Sequence, residues 1–192
     1  MRLRLKSIKL LSLIVSLFIL FVVDWRLTGQ DLPNTNNVIT PAFDERSKID
    51  DNTNYKVTRV IDGDTIEVAI SGQVEKIRLI GINTPETVDP RKPVECFGKE
   101  ASDHAKALLE GQSVKLGSDS TQADRDKYNR LLRYVRLPDG RNFNKLMIAE
   151  GYAYEYTYEI PYKYQSEFKA AELQARQMKK GLWADRACPK KH

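Results

Sequence analysis

The 192-residue sequence predicts an α+β domain in which five short strands close into a small barrel accompanied by three α-helices. Three patterns carry that prediction. Short runs alternate apolar with polar residues between turn signals, one helical pattern interrupts the strands, and two further helical patterns ended by glycine follow them.

Taken in order, Val57, Val60 and Ile61 lead into Asp62-Gly63-Asp64, a turn signal, after which Ile66, Val68 and Ile70 alternate as a strand does. Ser71-Gly72-Gln73 is a second turn and opens a third strand, expected over residues 74–82. Residues 99–111 read as a helix, with Ala101, Ala105, Leu108 and Leu109 on one face and Gly111 just past its end. Strands follow around residues 114–116 and 131–137, the latter closed by Pro138-Asp139-Gly140. Residues 144–150 form a short helix stopped by Gly151. Residues 166–180 form a longer one built on Phe168, Ala171, Ala175 and Met178 and capped by Gly181. Among small barrels, the five-stranded oligonucleotide/oligosaccharide-binding (OB) type fits this count.

The chain ahead of the barrel is of a different kind. Arg2, Arg4, Lys6 and Lys9 precede the uncharged run Leu10 to Val23, and Trp25 follows. A basic start before a short apolar segment reads as a secretion signal. Lengthened by Ile8 and a snorkelling Lys9 and ended by an interfacial Trp25, residues 8–25 would equally serve as a membrane anchor. In either case the remainder is exported, to be secreted or tethered on the outer face of the membrane. The expected organisation is a signal or anchor over 1–28, a flexible linker over 29–53 rich in Asn, Asp, Thr and Pro, the barrel domain over 54–186, and a basic tail over 187–192.

Composition narrows the chemistry. Hydrophobic residues at 41% and charged residues at 30% are a globular balance. Cys96 and Cys188 stand too far apart for a zinc ribbon or a C-x-x-C redox motif; in an exported chain they either pair as a disulfide or remain two thiols. His104 and the terminal His192 are the only histidines, so a ribonuclease working through two imidazoles is excluded, and His104 sits at the edge of a helical apolar face as a packing residue. The net charge of +5 is weak evidence for a nucleic-acid partner. Residues 1–28 hold five basic and one acidic side chain, residues 29–53 two basic and five acidic, and Arg186, Lys190 and Lys191 add three basic ones, whereas residues 54–185 carry only +1.

Four polar clusters stand where strands end: Asp62-Gly63-Asp64-Thr65; Arg78 inside an otherwise apolar strand; Asn83-Thr84-Pro85-Glu86, a turn stiffened by proline; and the charged run from Asp124 to Arg130. Each alone is an ordinary turn or a solvated loop. Together they supply the parts for phosphodiester hydrolysis. Attack of water builds negative charge on phosphate oxygens, arginines grip those oxygens bidentately, and a carboxylate orients or deprotonates the water. Carboxylate and carbonyl oxygens suit Ca²⁺ or Mg²⁺ rather than zinc.

From Tyr55 to Asp185 the sequence closely resembles the staphylococcal nuclease (thermonuclease) family. The stretches VIDGDTIEV, IRLIGINTPET, VECFGKEAS, DKYNRLLRYV and the closing GLW occur in the family's order and spacing. The resemblance implies an OB-type barrel with three helices and a monomeric, calcium-dependent nuclease that cleaves DNA and RNA and leaves 3′-phosphates. It places Arg78, Glu86 and Arg130 on the family's catalytic positions, Asp64, Asn83 and Thr84 on its calcium-ligand positions, and Lys127 with Tyr128 on its nucleotide-contacting loop.

Two positions depart from the family's best-known member. Asn83 replaces an aspartate, so a single bound Ca²⁺ would lose one formal negative charge among its ligands and bind more weakly, or depend on substrate phosphate to complete its site. Asn129 replaces the glycine before the catalytic arginine, and asparagine tolerates left-handed backbone better than most residues. The tyrosine-rich run from Tyr152 to Tyr158 offers base-stacking rings or plain packing. A non-catalytic nucleic-acid-binding barrel is the alternative, but all three catalytic positions hold the residue types that hydrolysis needs.

Overall fold

In the computed structural model, which describes residues 49–87, 90 and 93–188, the alternating runs become strands. The elements are β1 (Asn54–Val60), β2 (Thr65–Ile70), β3 (Gln73–Leu79), β4 (Ile82–Asn83), α1 (Gly98–Leu109), β5 (Ser113–Gly117), β6 (Leu131–Arg136), α2 (Phe143–Ala149), β7 (Tyr154–Glu155) and α3 (Gln165–Gln177). Five strands close into a barrel in the order β1-β2-β3-β6-β5, and with the three helices this is the expected architecture. Period-two alternation sends Ile66, Val68 and Ile77 inward, where each is fully buried with Val57, Leu116 and Leu131.

Two registers position the site. The β2–β3 hairpin sets Thr65 opposite Arg78, so Asp64 lies at the same end of the barrel, its carbonyl accepting from Leu79 N–H at 2.9 Å. The β3–β6 pair is the parallel one, with Arg78 opposite Leu132. The loop that feeds β6, ending at Arg130, therefore arrives beside Arg78. Asn144 in α2 locks this junction: fully buried, it accepts from Val135 N–H at 3.0 Å and donates to the Ile80 carbonyl at 2.9 Å. Its burial is tolerated because its amide satisfies backbone groups that would otherwise be orphaned.

The expected third strand over 74–82 is shorter than its apolar pattern suggests. β3 ends at Leu79, Gly81 takes a left-handed φ of 78°, and a Cβ there would sit 2.6 Å from the Tyr162 ring. The chain then leaves the barrel, and β4 pairs with β7 as a separate two-stranded sheet. Helix ends also shift by a residue or more. α2 starts at Phe143 because the Asn142 side chain accepts from Lys145 N–H at 3.2 Å. Met178, assigned above to the buried face of the last helix, follows α3 and is exposed.

Residues 49–53 form a turn around Asp50, whose N–H donates to the Tyr55 hydroxyl, and Ile49 packs against the core. Cys96 and Cys188 form a disulfide with Cα atoms 5.7 Å apart. His104 is a packing residue, stacked on Tyr152 with centroids 4.0 Å apart and 2.7 Å from Glu150. Among the described residues no helix is long and apolar enough to cross a membrane. The apolar segment 8–25, the linker up to residue 48 and the end of the tail lie outside them.

Candidate active site

At one corner of the barrel, Asp64 and Arg78 hold two turns together. Asp64 is buried; its Oδ2 accepts from Thr84 N–H at 2.9 Å and from the Thr84 hydroxyl at 3.2 Å, and its Oδ1 accepts from the Thr65 hydroxyl. Arg78 Nη1 donates to the carbonyls of Leu79 and Ile82, both at 2.8 Å. Its Nη2 donates to Asn83 Oδ1 at 3.1 Å and lies 3.3 Å from Asp64 Oδ2. Three hydrogen bonds and one ion pair thus hold the guanidinium. The closeness of the two turns requires Gly63, where a Cβ would come 2.6 Å from the Thr84 methyl.

Across from this corner, Asp124, Arg125, Asp126 and Arg130 each pair with an opposite charge. Asp124 Oδ1 accepts from buried Arg133 in β6 at 2.5 Å. Arg125 makes a two-pronged pair with Glu75 in β3 at 2.9 and 3.1 Å and also donates to the Asn129 carbonyl. Asp126 accepts from Arg130 Nε at 2.7 Å and from the Arg130 and Tyr128 backbone N–H groups. Burial raises the Asp126 carboxyl, but these hydrogen bonds outweigh it and hold the group below its ordinary value. Asn129 adopts φ 63°, the left-handed geometry its side chain tolerates. The result presents Tyr128, with about two-thirds of its surface exposed, to Lys127 and Arg130, which lie 5.2 and 5.4 Å from its ring centre.

Between the two sides lies a cleft of about 540 Å³ that brings together Arg78, Asn83, Lys127, Tyr128 and Arg130. Asp64 and Thr84 stand behind Asn83 and Arg78 rather than in its wall. Glu86, the third catalytic candidate, is likewise outside the cleft wall; its Oε1 accepts from Thr87 N–H at 2.8 Å. The tyrosine-rich run divides. Tyr156 and Tyr158 are exposed on the cleft, whereas Tyr152 stacks on His104 and Tyr154 packs edge-on against Trp183. The charged run was legible as a cluster, but the Glu75–Arg125 pair was not, because such a run shows nothing of a partner fifty residues away. Asp62 was likewise legible only as half of a turn.

Asp62 bears on what the corner can bind. Its carboxyl accepts from Asp64 N–H at 3.0 Å, and burial first, then the nearby Asp64 charge, push it up to about 7. Arg78 offsets this only in part, so Asp62 keeps its proton well above the usual carboxylate range and leaves Asp64 as the charged carboxylate of the corner. Among the described residues no three acidic, histidine or cysteine side chains gather. A cation here would rest on the Asp64 carboxylate and on neutral oxygens such as the Asn83 amide and Thr84, which fit Ca²⁺ in kind.

Comparison with known proteins gives a consistent picture. A family model described as staphylococcal nuclease homologue matches residues 76–185. The chain is 46% identical over 132 residues to a thermonuclease of Staphylococcus hyicus, covering 68% of this chain and 76% of that protein. It is 43% identical over 129 residues to a thermonuclease of Staphylococcus intermedius, covering 67% and 75%. It is 35% identical over 146 residues to the endonuclease YncB of Bacillus subtilis (strain 168), covering 76% and 67%.

Proposed function

Since the chain belongs to the staphylococcal nuclease family and is a phosphodiester-cleaving nuclease, we propose that it is an exported, Ca²⁺-dependent enzyme that hydrolyses DNA and RNA to products with 3′-phosphates. The observation that carries this reading is the cleft itself, where Arg78 of β3 and Arg130 of the loop before β6 face the same space beside exposed tyrosine rings.

In this reading the substrate backbone lies in the cleft with Lys127 on a phosphate and bases against Tyr128, Tyr156 and Tyr158. Glu86 accepts a proton from the attacking water, a P–O bond forms, and the bond from phosphorus to the 5′-oxygen breaks, that oxygen taking a proton to leave as a hydroxyl. Arg78 and Arg130 stabilise the charge that grows on the phosphate oxygens, and Arg130 assists the departing 5′-oxygen. Arg78 meets phosphate by exchanging its bond to Asn83 and its ion pair with Asp64, while keeping the two carbonyls that fix its orientation. Asp64, Asn83 and Thr84 would hold the calcium ion, which when bound polarises a phosphate oxygen and the water. Residues 1–28 would act as signal or anchor, and the Cys96–Cys188 disulfide suits the oxidising surroundings that export implies.

The test is cleavage of supercoiled plasmid, single-stranded DNA and RNA in millimolar Ca²⁺ and in excess chelator, with end analysis of the products. Cleavage of all three that vanishes in chelator and leaves 3′-phosphates is the expected result. Undiminished cleavage in chelator, or 5′-phosphate ends, would contradict the proposal.

A further inference from the structure

Glu86 is tied at both ends of its peptide unit to one residue. Its N–H donates to the Glu95 carboxylate at 3.0 Å, and its carbonyl accepts from Glu95 N–H at 2.8 Å. Glu95 is exposed, so its carboxylate is spent on a backbone donor where water would serve it equally well. The residue that follows, Cys96, is bonded to Cys188, 92 residues further on. Two residues later Gly98 opens α1, and a Cβ there would lie 2.6 Å from the Thr87 methyl and 3.0 Å from the Pro85 carbonyl, so the helix start abuts the turn that carries Glu86.

The other end of the disulfide is also fastened to the site. Leu182 N–H donates to the Gly151 carbonyl at 2.8 Å, and the Trp183 ring lies between Arg176, 3.9 Å away, and the edge of Tyr154. Tyr154 in β7 pairs with Asn83 in β4. A closed circuit thus runs from Asn83 through Tyr154, Trp183, the disulfide and Glu95 back to Glu86.

We propose that Glu95 is a positioning residue for Glu86 and that the Cys96–Cys188 disulfide holds it there, so that the rate of phosphodiester cleavage depends on the oxidation state of this pair. The inference rests on Glu86 being the catalytic carboxylate. A general base gains its effect from fixed placement, and the Glu86 N–H and carbonyl are both bonded by the residue next to the disulfide. Reduction by dithiothreitol breaks the S–S bond and leaves two thiols, with two electrons and two protons taken from the reagent, which closes to its own cyclic disulfide.

The test compares steady-state cleavage of single-stranded DNA by oxidised and dithiothreitol-treated protein, at a temperature where circular dichroism shows both folded. Reduction lowers kcat about tenfold with KM within about twofold, the signature of a misplaced catalytic group rather than lost binding. The Cys96→Ser/Cys188→Ser double variant has the reduced rate with or without reductant. Glu95→Ala, its disulfide intact, shows the same fall, and Glu95→Gln recovers most of it because an amide oxygen accepts the same bond. Should the reduced protein unfold, the Glu95 pair decides. Full kcat in Glu95→Ala, or in folded reduced protein, overturns the proposal. Glu86→Gln separates the two levels. Near-normal cleavage in that variant means the reading of Glu86 has failed, whereas an inactive Glu86→Gln beside a fully active Glu95→Ala sinks only the positioning claim.

Discussion

The two arginines of the cleft are held in opposite ways. Arg78 is nearly buried, comes from the end of β3 in the barrel wall, and donates to two carbonyls and an amide while pairing with a carboxylate. Arg130 is about twice as exposed, stands on a loop, and is held through Asp126 with a tyrosine ring beside it. A buried cation bound to backbone carbonyls is part of the fold as much as of the site, whereas a loop cation paired at the surface contributes little to stability. The difference teaches that identical side chains in one cleft divide the work, one building the corner and the other completing it.

Substitution breaks the comparison most sharply. Arg130→Ala should lower the cleavage rate by about 10²–10³ with the fold kept, the usual cost of removing a preorganised charge from a transition state. Arg78→Ala should lower it at least as far and also destabilise the protein by about 3 kcal/mol, since Asp64 is left buried beside Asp62 without its cation. Urea unfolding beside steady-state rates measures both. A smaller effect belongs to Asn83→Asp, which restores a formal charge at the corner; calcium affinity by isothermal titration should rise on the order of tenfold.

The loop is tested by pH. Because the Asp126 carboxyl is held below its ordinary value of 3.8, its pairing contributes stability above that value, and this is lost as pH falls through the depressed folded value. Acid unfolding should therefore begin at higher pH in Asp126→Asn than in the parent, provided the two are compared at equal ionic strength. Smallest of all, Asn129→Gly should shift the unfolding free energy by less than about 1 kcal/mol, since asparagine already accepts the left-handed φ of 63°.

Much of this division was legible in the sequence. The hairpin around Asp62-Gly63-Asp64 showed in the alternation that follows it, and Arg78 was conspicuous as a charge between Ile77 and Leu79. What stayed hidden was non-local. Ile80 and Ile82 continue the apolar pattern of β3, and only Gly81 betrays that the strand ends; β4 and β7 are two residues each, too short for any periodicity. The acceptors that make Arg78 structural are mostly backbone carbonyls and an amide, which leave no mark in composition. The Glu75–Arg125 pair and the Glu95 clamp on Glu86 depend on where chain segments meet, and the pairing of Cys96 with Cys188 could not be chosen over two thiols until the tail was seen packed through Trp183.

The most direct measurement takes a single preparation of Arg130→Ala and records both its rate on plasmid DNA in Ca²⁺ and its thermal unfolding midpoint beside the parent protein. A rate reduced by about a hundredfold or more with a midpoint within about 2 °C of the parent is the outcome expected for a catalytic arginine that the fold does not need. An unchanged rate, or a rate that falls only as far as the midpoint does, would contradict it.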